Sequence, residues 1–320
     1  MAGGAIMKNH KSMIDWVEEY VNYRRSLGFQ LQIDESELIR FAKYVDEIQH
    51  RGPLTTEILL SWVQKAKSTN FQHRRFETVC SFAGYVSIYI PETEIPSRAT
   101  LKIKCRRPEP YIYSTPQIKE LLKACDELSG NLRPQTYNTL FGLLAATGLR
   151  VSEALKLNRK DVDLDHGILT VRETKFRKSR LLPVHTSTIQ ALRRYTTNRN
   201  NIHPLPRSEM FFLSEAGSSL PYPTVNYTFQ KLRRCLGWKC KNTKRYPRIR
   251  DLRHTFACQR LLKWYEEGVN VNHSIPFLSA YLGHIKVSDT YWYLTGVPKL
   301  MAITACRFEK YAKPKRGGKP

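Results

Sequence analysis

The sequence predicts a mainly α-helical chain of two domains, with a small antiparallel β-sheet confined to the second. Three observations carry this. Apolar residues recur at helical spacing through the first hundred residues. A basic, proline-bounded stretch without that periodicity follows at 101–110 and reads as a linker. Beyond it, helical segments flank short strand-like pieces, with no alternating βαβ units and no internal repeat. At 320 residues the chain suits two domains and is short for three.

The elements follow in order. Ser12 to Leu27 carries Ile14, Trp16, Val17, Tyr20, Val21 and Tyr23 at helical spacing. A second helix is expected with Asp34 as its cap and Leu38, Phe41, Ala42 and Val45 as its stripe. Thr55 or Thr56 opens a third, and the fourth runs from about Asn70 to Ile88, before Pro91. Four short amphipathic helices make a small bundle over 10–100. After the linker, Ser114-Thr115-Pro116 opens a helix to about Leu128. Another runs from about Gln135 to Ala146 and is closed by Gly148. Strands are expected at Ile168 to Arg172, Arg180 to Val184 and Met210 to Leu213; helices resume from Thr186, Pro223 and Asp251. The second domain spans 111–312, and 313–320 is a basic tail.

Charge narrows the function. The chain holds 52 Lys+Arg against 28 Asp+Glu, a net +24. Residues 1–107 hold 16 and 12 of these, net +4, so the remainder holds 36 and 16, net +20. Such a surface attracts polyanions, nucleic acid first among them. The longest apolar run, Val79 to Ile90, is broken by Ser81, Gly84 and Ser87, and the N-terminus lacks a signal-peptide core. A cytoplasmic, nucleic-acid-associated protein is therefore expected, neither secreted nor membrane-embedded. Seven scattered cysteines make no disulfide framework, and Cys235 and Cys240 have no second pair to complete a zinc site.

Four segments of the second domain carry candidate chemistry. In Thr147-Gly148-Leu149-Arg150, glycine ends one helix and an arginine follows where the next begins. Its planar fork suits a phosphate, although alone the plainer reading is a surface pairing with Glu153. Lys175, Arg177, Lys178 and Arg180 crowd a hairpin tip between two strands. Residues 231–250 contain nine Lys/Arg, among them Lys244, Arg245, Arg248 and Arg250, and no acid. They lead into Asp251-Leu252-Arg253-His254, where Asp251 is expected as the helix cap and Arg250 and Arg253, three apart, share one face of the helix start. Last, Leu282-Gly283-His284 is followed by Tyr293 nine residues after the histidine.

In this order the four segments resemble the tyrosine recombinases, the phage integrase family that includes the Xer-like and Cre-like site-specific recombinases. The resemblance implies a helical, SAM-like core-binding domain over 10–100 and a catalytic domain from 111. It also implies a chemistry: Tyr293 as nucleophile on a DNA phosphodiester, giving a 3′-phosphotyrosine and a free 5′-hydroxyl. Arg150 and Arg253 would stabilise the phosphorane, Lys175 would protonate the leaving 5′-oxygen, and His284 would hydrogen-bond the phosphate. Bond energy is kept in the covalent intermediate, so neither metal nor other cofactor is expected.

One position departs from the family, because Arg250 stands where a histidine is usual, and a guanidinium is a poor proton acceptor. Two other readings stay open, a non-catalytic DNA-binding protein on the same scaffold and an RNA-binding protein. Integration or excision of a mobile element is the expected job, and chromosome-dimer resolution the alternative. Double-stranded DNA is the expected partner, gripped from both faces by the two domains, with Arg106, Arg107, Arg177, Lys178, Arg180, Lys244, Arg245 and Arg248 on phosphates. A homo-tetramer on paired recombination sites is expected, with the tail from Pro298 docking in cis or on a neighbour.

Overall fold

The computed structural model describes residues 11–100, 110–172, 179–239 and 246–295. Most of the linker, the hairpin tip at 173–178, the segment 240–245 and the tail lie outside these residues. With them lie Arg106, Arg107, Lys175, Arg177, Lys178, Lys244 and Arg245. The chain divides into two compact units, Met1–Pro108 and Glu109–Pro320.

The first unit packs α1 (Met13–Ser26), α2 (Gln32–Glu47), α3 (Thr56–Gln64) and α4 (Thr69–Val86). Three of the four open on a hydroxyl. Ser12 and Asp15 form a reciprocal capping box, Thr55 accepts from the N–H of Ile58, and Ser68 from that of Phe71. Each such cap contributes about 1 kcal/mol. Leu38, Phe41, Val45, Val63, Phe76 and Phe82 from the apolar stripes fill the core. Asp34 is not the cap of α2. That helix begins earlier, after Leu31 in a left-handed conformation (φ 47°), which places Asp34 inside the first turn. Its carboxylate instead accepts from Arg74 at 3.2 Å and Thr78 at 3.4 Å on α4, so a long-range pairing takes the residue that local propensity assigns to the cap.

The second unit is built around α6 (Arg133–Thr147), which packs against α5 (Thr115–Asp126). Tyr137, Leu140, Phe141, Leu143 and Leu144 bury most of its circumference, which makes it the central helix. Gly148 ends it at φ +66°. The five-residue α7 (Val151–Leu155) follows. Then comes a three-stranded antiparallel sheet in the order β1 (Val162–Asp163), β2 (Ile168–Val171), β3 (Arg180–Pro183). Val171 stands opposite Arg180, and Leu169, Val171 and Leu182 turn inward to the core. Two residues are too few for β1 to show as a sequence pattern.

Met210 to Leu213 forms no strand, only isolated bridges from Asn158 to Met210 and Leu213 to Ser219. Its backbone groups go elsewhere: the Phe211 N–H donates to Leu157 O, and Phe211 O accepts from the buried Arg199. Helices α8 (Thr186–Ile202) and α9 (Tyr222–Cys235) cover the core. The chain closes on α10 (Arg250–Glu266), α11 (Val271–Leu282) and α12 (Ser288–Thr295), which share a second core with Phe256, Leu261, Ile275, Leu282 and Tyr293. Among the described residues no helix is long and apolar enough to cross a membrane.

Candidate active site

The site assembles where two glycine-terminated helices end side by side. Gly148 closes α6 and Gly283 closes α11, both left-handed, with φ +66° and +70°. A Cβ at Gly148 would meet the Phe256 ring at 2.6 Å and Leu282 at 3.0 Å. Only glycine permits this conformation and this approach together. Each turn offers a carbonyl to an arginine from elsewhere. Arg253 donates to Gly148 O at 2.8 Å through Nη1 and to Leu282 O at 2.8 Å through Nη2. Arg150 donates to Gly283 O at 3.0 Å through Nη2. The two arginines thus stitch the two turns together.

Glu153, buried in α7, is the one carboxylate in direct contact with this web among the described residues. Its Oε1 accepts from Arg150 Nη1 at 2.6 Å, and its Oε2 from the Arg150 backbone N–H at 3.1 Å. Arg180 reaches the same carboxylate, Nη2 to Oε2 at 2.9 Å and Nη1 to Oε1 at 3.3 Å, while its Nε donates to Tyr281 O at 2.9 Å. Burial pushes the Glu153 carboxyl up, but the bond and charge of Arg180 and the Arg150 contacts win, leaving it below its ordinary value. Arg253 is only 8% exposed, and burial, helped by the neighbouring Arg150 charge, lowers its pKa to about 10. It stays charged at neutral pH.

Tyr293 lies at this junction, buried in α12, its ring stacked on His284 at 6.0 Å and tilted against His254 at 5.6 Å. Tyr291, two residues earlier, is 41% exposed, as a helical turn of about 200° between them requires. His284 Nδ1 lies 2.7 Å from the hydroxyl of fully buried Thr290, which fixes the ring with Nε2 at the opposite edge. The structure therefore brings Arg150, Arg253, His284 and Tyr293 together. Arg250, at the first residue of α10, is exposed.

One expectation about the flanking cations changes. Arg180 is not an outward phosphate contact, since its side chain is 14% exposed and engaged by Glu153 and Tyr281 O. Arg248, its side chain 37% exposed, anchors the start of α10 through its backbone. Its N–H donates to Asp251 Oδ2 at 2.9 Å, and its carbonyl accepts from Tyr113 at 2.9 Å. Asp251 is accordingly no helix cap but a buried first-turn residue that ties back the preceding segment. Sequence reasoning missed His254 and Thr290. The only signals for them were adjacency to Arg253 and a position between His284 and Tyr293.

A helical domain with a three-stranded sheet and a tyrosine among arginines defines the catalytic domain of a tyrosine-type site-specific recombinase. Residues 113–297 match the phage integrase family. Over 302 residues the chain is 40% identical to a putative integrase/recombinase, y4rB, of Sinorhizobium fredii, covering 92% of this chain and 96% of that protein. It is 27% identical over 268 residues to the tyrosine recombinase XerC of Thermodesulfovibrio yellowstonii, covering 81% and 82%. In fold it is similar to the Tn1549 transposon integrase solved with transposon right-end DNA. There the TM-score is 0.69 at 17% identity, over 94% of this chain and 100% of that one. The chain belongs to the phage integrase family, and it is an enzyme that cleaves and rejoins DNA strands at specific sites.

Proposed function

We propose that the chain recombines the ends of a mobile DNA element through a 3′-phosphotyrosine carried by Tyr293. The observation that carries this reading is the convergence of Arg150, Arg253 and His284 on Tyr293. The Tyr293 oxygen attacks phosphorus, the bond to the 5′-oxygen breaks, and Lys175 supplies the proton that the leaving oxygen takes. Arg150 and Arg253 face the negative charge that grows on the non-bridging oxygens, where bidentate, preorganised donors act best. His284, held through Nδ1 by Thr290, presents Nε2 to the same phosphate. Arg250 lies one helical turn before Arg253 and adds charge but no base, so the Tyr293 proton leaves to water. A 5′-hydroxyl from a second strand then reverses the step, and no metal or ATP enters the balance.

Double-stranded DNA is the substrate, with the first unit as a DNA-binding core domain. Strand exchange between two sites takes four protomers. The mobile-element role is supported by the 40% identity to a putative integrase/recombinase along nearly the whole chain.

The decisive measurement is covalent capture on a nicked suicide substrate. Tyr293→Phe is expected to bind DNA and form no adduct, while Tyr291→Phe forms it. The reverse result would move the nucleophile to Tyr291. A protein that occupies paired sites only as a monomer at every concentration would remove the tetramer.

A further inference from the structure

We propose that Arg180 is a positioning and charge-compensating residue of the recombinase site, tying the strand that follows the Lys175 segment to Glu153, to Arg150 through Glu153, and to the turn that carries His284. The inference rests on the catalytic reading above. Its basis is an accounting of donors and acceptors. A carboxylate has about four acceptor positions. Those of Glu153 are filled by Arg150 Nη1 (2.6 Å), the Arg150 N–H (3.1 Å) and the two Nη atoms of Arg180 (2.9 and 3.3 Å). The third nitrogen of Arg180, Nε, holds Tyr281 O at 2.9 Å, two residues before Gly283. Gly283 is packed so closely on this guanidinium that a Cβ there would stand 2.6 Å from Nη1. The Tyr281 hydroxyl donates back to Pro183 O on β3 at 3.2 Å, so the strand and the end of α11 are joined twice.

Charge gives the arrangement its purpose. One buried carboxylate faces two guanidinium groups, so one positive charge remains after the pairing. Glu153 orients Arg150 by two hydrogen bonds, but alone it would also neutralise it and compete with a DNA phosphate for its donors. Arg180 shares the carboxylate and leaves Arg150 its charge. A lysine has no planar fork with which to span both Glu153 oxygens and a carbonyl.

The test is single-turnover cleavage of a nicked suicide substrate by the full chain at saturating protein. Arg180→Met is expected to slow cleavage by about a hundredfold, the scale of a misplaced catalytic group, with DNA affinity and its salt dependence unchanged. Glu153→Gln is expected to slow the wild type but to accelerate the Arg180→Met variant, because it removes the charge that Arg150 then faces alone. A merely structural role does not produce that reversal of sign. Arg180→Gln, which keeps a hydrogen-bonding end, is read in the same way if the Met variant does not fold. Glu153→Gln slowing both backgrounds alike would overturn the inference. So would a loss of DNA affinity with a shallower salt slope in Arg180→Met, which would make Arg180 a phosphate contact. An absence of adduct in the wild type would instead remove the catalytic reading itself, and Tyr293→Phe serves as the zero for that comparison.

Discussion

The two units of this recombinase hold their arginines with different balances of partners. In the first, arginines meet carboxylates and rings: Arg75 pairs with buried Glu37 at 3.0 Å and lies 4.1 Å over the Trp62 ring, and the exposed Arg40 meets the same Glu37. In the second, one carboxylate, Glu153, is shared by Arg150 and Arg180, and backbone carbonyls supply the further contacts. Arg253 grips Gly148 O and Leu282 O, Arg150 grips Gly283 O, Arg180 grips Tyr281 O, and Arg199 grips Phe211 O. A carboxylate fixes a guanidinium and cancels it, whereas a carbonyl fixes it and leaves the charge in place. The first arrangement builds a core, and the second keeps a preorganised positive field for a polyanion. The split of net charge along the chain, +4 before residue 108 and +20 after it, is the sequence-level trace of the same division.

The contrast can be broken most sharply at Arg253. Arg253→Ala should cost roughly 3–4 kcal/mol of transition-state stabilisation, typical for a charged donor at a developing oxyanion. It would be read as the rate of adduct formation with DNA saturating. Arg250→Ala should cost a similar amount if this exposed arginine also reaches the phosphate. Arg250→His should then recover activity and bring a pH dependence near 6–7. A wild-type rate in Arg250→Ala would place it outside the site. In the first unit, Arg75→Ala should act on stability instead. It leaves buried Glu37 with only the exposed Arg40 as a charged partner, at about 3 kcal/mol, seen as a lower urea midpoint with the cleavage rate of folded protein unchanged.

Glu153 tests the comparison through pH. Its carboxyl lies below the ordinary 4.5 in the folded state, so the stability it contributes is complete above that value. It is lost as pH falls through the depressed folded pKa. Urea midpoints from pH 7 down to 3 should show Glu153→Gln less stable at neutral pH, with the gap closing below the ordinary carboxylate range. The smallest effect is expected at Thr290→Val, which removes the hydroxyl that orients His284. A loss of about 1 kcal/mol, roughly fivefold in cleavage rate, with unchanged DNA affinity, would mark it as an orienting contact.

Legibility in the sequence followed how local the physics is. Ser12, Thr55 and Ser114 are readable as helix openings because a cap is settled within four residues. Gly148 was readable as a helix end for the same reason. Asp34 and Asp251 were misread as caps because each is claimed by a partner outside its own first turn, Arg74 in one case and the Arg248 N–H in the other. Met210 to Leu213 has strand composition, but its backbone groups are taken by Leu157 and Arg199, and nothing in four residues announces that.

Periodicity, composition and spacing are properties of the chain, so the helical bundle, the sheet's two main strands, the cationic bias of the second unit and the ordered set Arg150, Arg253, His284 and Tyr293 are legible without any fold. Folding alone settles that Arg253 holds both turns and Arg150 the one at Gly283, that Glu153 is shared with Arg180 27 positions along the chain, and that Thr290 meets His284. The physical reason is that a hydrogen bond to a backbone carbonyl carries no signature in residue type. Every residue offers that carbonyl, and folding alone selects which ones an arginine meets.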